Sequence, residues 1–400
     1  MNEINTKNSN LKTIPIFLAF LCMGFGDVVG PLVSLVKDTF DVSNFQAFFM
    51  TFSGFIMFGV LSIPIGLLQD KKGKKYIMNL GLIIAFLGLI IPVFNGMYGP
   101  TSDLTIAGEN KFYILLFSIL LLGAGATTLQ VVGNPIMRDV SPEGRYSSNL
   151  SFAQAVKAIG SSLGFLLPPI AVQFFSLDWT LLFPVYSALI LINLIWFNAT
   201  GFKESKKESH FAATLSSCFM LLRNPYVLLM VLGIFLYVGA EVSMSSGVPI
   251  LMKEKFGIVK FGLWVSWALF FLPILVGRFI GGLILRRLRA QLFLLMTVVL
   301  SLVGLLLLFL NMEALTFIGI IMIGLGFANI FPLIFSITVD KMPERSNELS
   351  GLMVTAIVGG AILPPIMGKV ADLTSITVGF VVPLLSIIYI LFVSLKIFRS

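Results

Sequence analysis

Gln130 to Pro169 reads QVVGNPIMRDVSPEGRYSSNLSFAQAVKAIGSSLGFLLPP, two apolar runs joined by a short charged turn. Each run, continued into its flank, reaches the roughly 20 residues a helix needs to cross about 30 Å of hydrocarbon. Lys157 sits inside the second run. A lysine at that depth costs roughly 2.5–3.5 kcal/mol on insertion scales, which makes it a candidate functional residue. The stretch also has an echo. Asp139-Val-Ser-Pro142-Glu143, followed by Leu150-Ser151 and Leu167-Pro168-Pro169-Ile170, returns as Asp340-Lys-Met-Pro343-Glu344, Leu349-Ser350 and Leu363-Pro364-Pro365-Ile366.

Working outward, the length rule places twelve spans at 12–36, 45–69, 76–95, 112–137, 149–172, 178–199, 225–250, 259–284, 291–310, 314–338, 349–371 and 376–397. The repeat therefore sets spans 4 and 5 against spans 10 and 11. A second echo, Leu35-Val-Lys37-Asp38-Thr-Phe40 against Leu251-Met-Lys253-Glu254-Lys-Phe256, sets span 1 against span 7. Two echoes in one order imply a parallel duplication of six plus six. The halves are 1–199 and 225–400, with the charged segment 200–224 as the cytoplasmic linker. The expected fold is an all-α membrane protein of twelve transmembrane helices in two pseudo-symmetric six-helix halves.

Composition agrees. The 400 residues are 57% hydrophobic and 12% charged, against about 25% charged in soluble domains. The net charge of +8 reflects topology rather than a nucleic-acid partner. On one side of the spans fall nineteen Lys and Arg, including Lys71, Lys72, Lys74, Lys75, Arg138, Arg145, Arg286, Arg287 and Arg289; on the other fall six. The positive-inside rule then puts both termini in the cytoplasm. No removable signal peptide is expected, because the polar N-terminus runs straight into a long span. Cys22 and Cys218 are too few and too far apart for a disulfide framework or a metal site. His210, the only histidine, falls in the linker and leaves no intramembrane histidine relay.

Gly66-Leu-Leu-Gln-Asp70-Lys71-Lys-Gly73-Lys74-Lys75 joins spans 2 and 3. Gly66 lets the end of span 2 approach a neighbour, and Gly73 permits a tight turn. With twelve spans and the duplication, this motif resembles the major facilitator superfamily signature. Within that superfamily the chain resembles the fucose–galactose–glucose:proton symporter group. The residues that carry this are Asp27 and Pro31 in span 1, Gly133-Asn134-Pro135 in span 4, and Leu150, Ala153, Gln154 and Gly160 in span 5. To these add Tyr237 and Ala240 in span 7, Gly277-Arg278 and Gly281 in span 8, and Val358, Gly359, Gly360, Pro364 and Met367 in span 11.

The resemblance implies import of a monosaccharide with a coupling proton by alternating access. It further implies residence in a bacterial cytoplasmic membrane, no cofactor beyond the coupling ion, and a monomer whose partners are a sugar and the bilayer. It gives Asp27 a share in coupling and sugar binding. It also gives Asp70 a gating role against basic residues and the start of span 11, with Gly66, Gly73, Arg138 and Arg278 as the other gating candidates. Two positions depart from the group's pattern: Gln130 stands where the group has an acid, and Lys157 where it has an asparagine.

Four charges lie inside the spans away from their ends: Asp27, Lys157, Glu241 and Arg278. The first three fall within the middle depth of their helices and are the coupling candidates. Arg278 lies about 9 Å from its cytoplasmic end, near enough to snorkel to the surface. Lys157 either pairs with an acid, Asp27 or Glu241, or binds an anionic sugar or other carboxylate. A uniporter or a sodium-coupled carrier are the further alternatives. Gln130, Asn134 and Gln154 have the amide groups that read sugar hydroxyls, or that tie helices together. Tyr237, Trp264, Trp267 and Phe331 are the aromatic candidates for stacking on a sugar ring.

Overall fold

In a bilayer each backbone N–H must find its acceptor within the segment, so apolar stretches of this length become helices. The computed structural model describes residues 14–42, 44–47, 49–97, 108–200, 215–258, 262–310 and 312–399. It is all-helical across the membrane, with twelve helices long and apolar enough to span it. In the first half these are α1 (Ile14–Val33), α2 (Phe49–Lys72), α3 (Lys74–Phe94), α4 (Asn110–Val140), α5 (Tyr146–Phe175) and α6 (Trp179–Ala199). In the second they are α7 (Pro225–Phe256), α8 (Gly262–Ile284), α9 (Ala290–Leu308), α10 (Glu313–Lys341), α11 (Glu348–Leu373) and α12 (Ile376–Phe398). The polar N-terminal segment, linker residues 201–214 and His210 lie outside the described residues.

Several helices run longer than hydropathy alone places them, α4, α5 and α7 most of all. A helix needs no apolar face once it leaves the hydrocarbon. The turn between α2 and α3 depends on Gly73, whose φ of 87° is one that side-chain-bearing residues avoid. Trp179 opens α6 with its backbone N–H bonded to the Asp178 carboxylate.

Within the halves α4 packs on α2 and α3, and α7 on α11 and α12. Between the halves α5 packs on α8 and α10, α2 on α11, and α1 on α7. The α5–α8 and α2–α11 contacts are equivalent under the duplication. Phe165 and Phe271 meet across the halves toward the α5–α6 turn, with ring centroids 4.5 Å apart. Toward the α4–α5 turn Ser148 Oγ donates to the carbonyl of Gly282 at 2.6 Å, and Ser147 and Ser336 share a 2.8 Å bond. The halves thus touch on both sides of a polar centre.

Candidate functional site

Two glycines bring α1 and α5 into backbone contact. A Cβ on Gly24 would lie 2.2 Å from the carbonyl oxygen of Lys157, and one on Gly160 would lie 2.1 Å from that of Leu21. Any side chain there would force the helices apart. At the same level α1 tightens into a 3-10 turn over Gly24–Val28, which carries Asp27. The approach sets Lys157 Nζ 3.0 Å from Asp27 Oδ2, and Ser161, one turn further along α5, donates to the same oxygen at 2.9 Å. The two ion-paired side chains keep 24% and 13% of their surface exposed, for Asp27 and Lys157 respectively, so small solutes can reach them.

The second pair is built by a broken helix. Pro332 has no N–H to give the carbonyl of Ala328, four residues back, and α10 interrupts its hydrogen bonding at Ala328–Asn329. Arg278 takes up the freed acceptor, its Nε donating to Ala328 O at 3.1 Å. Its Nη2 meets Glu241 Oε1 at 2.9 Å, and its Nη1 crosses to the other half to donate to Gln154 O at 3.2 Å. Tyr237, one turn before Glu241 on α7, donates its hydroxyl to Phe327 O at 2.8 Å. Arg278 is 6% exposed and does not snorkel. Distance to the helix end suggested that it would, but three acceptors converge on the inward face and satisfy the guanidinium there. Glu241 also feels the charges of Asp27 and Lys157, so the two pairs form one electrostatic group.

The amide candidates are buried beside it. Gln130 Nε2 donates to Asn134 Oδ1 at 3.3 Å, which joins two successive turns of α4. Among the described residues Gln130 Oε1, Asn134 Nδ2 and Gln154 Nε2 find no hydrogen-bond partner, and a buried polar group in that condition calls for water or a ligand. The aromatic candidates are not gathered in one place. Tyr237 is fully buried with its hydroxyl committed, and Phe331 packs on Phe335 with centroids 5.8 Å apart. Trp264 and Trp267 lie on the outer part of α8, where Trp267–Phe271 forms a π-helical turn. Such turns gather at functional sites, and no residue pattern announced this one.

The gating candidates divide. Arg138 reaches across between the halves, donating from Nη1 to Pro343 O at 3.2 Å and lying 3.7 Å by Nε from Asp340 Oδ1. It thereby joins the two turns that are copies of one another, and Lys74 forms an ion pair with Asp139 in the first. Asp70 is exposed at the C-terminal end of α2, and Gly66 is buried a turn before it. Ser350, at the start of α11, donates to Val131 O at 3.1 Å, an acceptor freed because Pro135 has no N–H to offer it. The partners found by Ser161 and Ser350 escape sequence reasoning, since a serine in an apolar helix ordinarily bonds within its own helix. Among the described residues no group of three His, Cys, Asp or Glu side chains could hold a metal ion.

Two six-helix halves enclosing paired, partly exposed charges, with bonds between the halves on the side of the α4–α5 and α10–α11 turns, define a multi-pass membrane carrier. Residues 16–365 match the model of the Major Facilitator Superfamily, and the chain belongs to that family. Among its relatives are the glucose/galactose transporter of Brucella abortus biovar 1 (strain 9-941), 26% identical over 98% of this chain and 97% of that one, and the L-fucose-proton symporter of Escherichia coli K12, 22% identical over 85% and 82%. The crystal structure of the transporter FucP in the outward conformation matches with a TM-score of 0.75 at 21% identity, over 97% of this chain and 98% of that one.

Proposed function

We propose that this protein imports a neutral monosaccharide together with a proton, by rocking of its two halves around the site between α1, α5, α7 and α8. The observation that carries the reading is the Asp27–Lys157 pair, partly exposed where the halves meet and held by a third group, Ser161. An intramembrane carboxylate survives by pairing. A proton arriving from one side neutralises Asp27 and releases Lys157, and sugar hydroxyls then bond the freed groups and the open amide positions of Gln130, Asn134 and Gln154. Loss of the proton to the other side restores the pair and expels the sugar. The relatives named for glucose, galactose and L-fucose transport support a hexose-like cargo.

The two acids and two bases of the site cancel, which favours a neutral sugar over the anionic one that Lys157 alone would suggest. The positive-inside distribution supports cytoplasmic termini in a bacterial cytoplasmic membrane, and a single chain holding a whole site supports a monomer.

Uptake of labelled glucose, galactose and L-fucose into proteoliposomes tests the reading. An inward proton gradient should speed uptake of at least one sugar, and Asp27→Asn should abolish that response while keeping sugar exchange at equal concentrations. Uptake indifferent to the gradient, or driven by sodium, rejects the coupling. Selective uptake of uronic acids that Lys157→Asn removes rejects the neutral cargo.

A further inference from the structure

An apolar groove of about 470 Å³ opens between α1, α5 and α8, away from the polar site. Phe17, Phe152, Val156, Ile159, Val276 and Phe279 are among its lining residues, and Ile159, Val276 and Phe279 are exposed. In a membrane these faces meet lipid rather than water. The volume is within the range of small-molecule sites, about 300–1,000 Å³. On α8 the groove is lined from Leu275 to Phe279, and from Leu275 to Arg286, which sits over the groove residue Phe152, is eleven residues at 1.5 Å, or roughly 16 Å. That is about half the ~30 Å hydrocarbon thickness, so its depth is that of one leaflet.

Its cytoplasmic mouth is charged. The Arg286 guanidinium lies over the ring of Phe152, 5.4 Å from the centroid, and Phe152 in turn meets Phe279 edge-on at 5.5 Å. Phe152 is thus both groove wall and platform for the cation, which fixes Arg286 where the first carbons of an acyl chain would leave the groove. Arg287 and Arg289 follow, both exposed. Basic groups just cytoplasmic of a membrane helix attract anionic headgroups.

We infer that this groove is a binding site for an anionic phospholipid of the cytoplasmic leaflet, its acyl chain along Phe152, Val156, Ile159 and Phe279 and its phosphate on Arg286. Charge complementarity selects the occupant. A zwitterionic lipid fills the apolar part equally well but gains less from three arginines. The site is placed to affect the conformational equilibrium. Behind the groove wall run the bonds Ser148 Oγ to Gly282 O and Arg278 Nη1 to Gln154 O, which join α5 to α8. A chain lodged against both helices stabilises the arrangement in which they touch.

Native mass spectrometry of the detergent-solubilised protein, titrated in parallel with phosphatidylglycerol and phosphatidylcholine of matched chains, tests the site. One phosphatidylglycerol should be retained at roughly three- to tenfold lower lipid concentration than phosphatidylcholine, as expected for one or two well-placed basic groups. Arg286→Gln should erase that preference, whereas Arg223→Gln, the same charge change at the cytoplasmic start of α7, should leave it. Val276→Trp, which fills the groove without touching the arginines, should lower retention of both lipids. Equal retention of the two lipids by the unaltered protein overturns the inference, as does an Arg286→Gln protein that keeps the preference.

Discussion

Replacing Arg278 by methionine is the sharpest test of how the centre is held. The side chain is 6% exposed and gives hydrogen bonds to Ala328 O, Gln154 O and Glu241. Its loss leaves Glu241, whose side chain is 21% exposed, without its counter-charge, and the cost is at most the about 3–5 kcal/mol of removing one partner of a fully buried pair. Ala328 O also loses its donor, and Pro332 prevents the helix from supplying another; an unsatisfied buried acceptor costs about 1–3 kcal/mol. With the per-residue unfolding entropy of globular proteins, a deficit of about 4 kcal/mol in a 400-residue chain lowers the melting temperature by roughly 5 °C. The control is the double variant Glu241→Gln, Arg278→Met. It carries no buried charge at these positions, so it should regain on the order of 2 kcal/mol relative to Arg278→Met, and a thermal-unfolding cycle over the four proteins should show that coupling. Additive effects would refute the pairing as the source of the cost. So would an Arg278→Met protein that melts with the unaltered one.

Gly160→Ala puts a methyl group against Leu21 O, and the overpacking should cost about 1–3 kcal/mol; an unshifted melting temperature would show that α1 and α5 separate easily. Ser350→Ala removes a bond between the halves worth about 1 kcal/mol, a shift of roughly fivefold toward a form open to the cytoplasm. Labelling of a cysteine introduced on the cytoplasmic face of α4 should speed up accordingly. Asp178 supplies a pH test. Burial lifts its carboxyl from 3.8 to about 6, against the opposing bond from Trp179 N–H, and Oδ2 has no partner. Between those values the folded form holds more protons than the unfolded one, so stability is highest below about pH 4 and declines as pH rises through about 6. The contribution is at most about 3 kcal/mol. Asp178→Asn keeps an acceptor for Trp179 N–H and should remove this decline, leaving the variant the more stable protein at pH 7.

Much of the architecture was legible because membrane insertion is a coarse selection. A run of about 20 apolar residues has few alternatives to a spanning helix, and the echo of Asp139–Glu143 in Asp340–Glu344 exposed the duplication. The charged residues of the site were legible for the same reason, since each is costly where it lies. Their partners were not. Sequence left Lys157 open to Asp27 or Glu241, because the choice rests on how closely α1 approaches α5, and that is set by Gly24 facing Gly160. Arg278 was placed by its distance to the helix end, which carries no information on the direction of the side chain. Distortions such as the 3-10 turn at Asp27 and the π turn at Trp267 arise from packing between helices and leave no periodic trace.

The prolines of α4 and α10 suggest how such a protein holds its halves together without fixing them. A bond between halves must be specific when made and inexpensive to break. In an unbroken helix each carbonyl already accepts one bond from its own helix, so a side chain from the other half can use only the second lone pair, as Arg278 does at Gln154 O. Pro135 frees Val131 O for Ser350 of the opposite half. Pro332 in α10 likewise frees Ala328 O, here for Arg278 of the same half, whose remaining reach crosses to Gln154. When the halves part on one side, the cavity that opens admits water, which replaces the lost donor at Val131 O. Exchanging a protein donor for water changes the free energy by only about 0.5–1.5 kcal/mol per bond. Pro135 thus supplies the contact between the halves with an acceptor that is satisfied whether the carrier is closed or open there. Pro135→Ala should expose the difference. The restored N–H engages Val131 O within α4, Ser350 loses its partner, and cytoplasmic cysteine labelling should accelerate as in Ser350→Ala, with no further gain when the two changes are combined. Additive acceleration would show that Ser350 and Pro135 act through separate contacts.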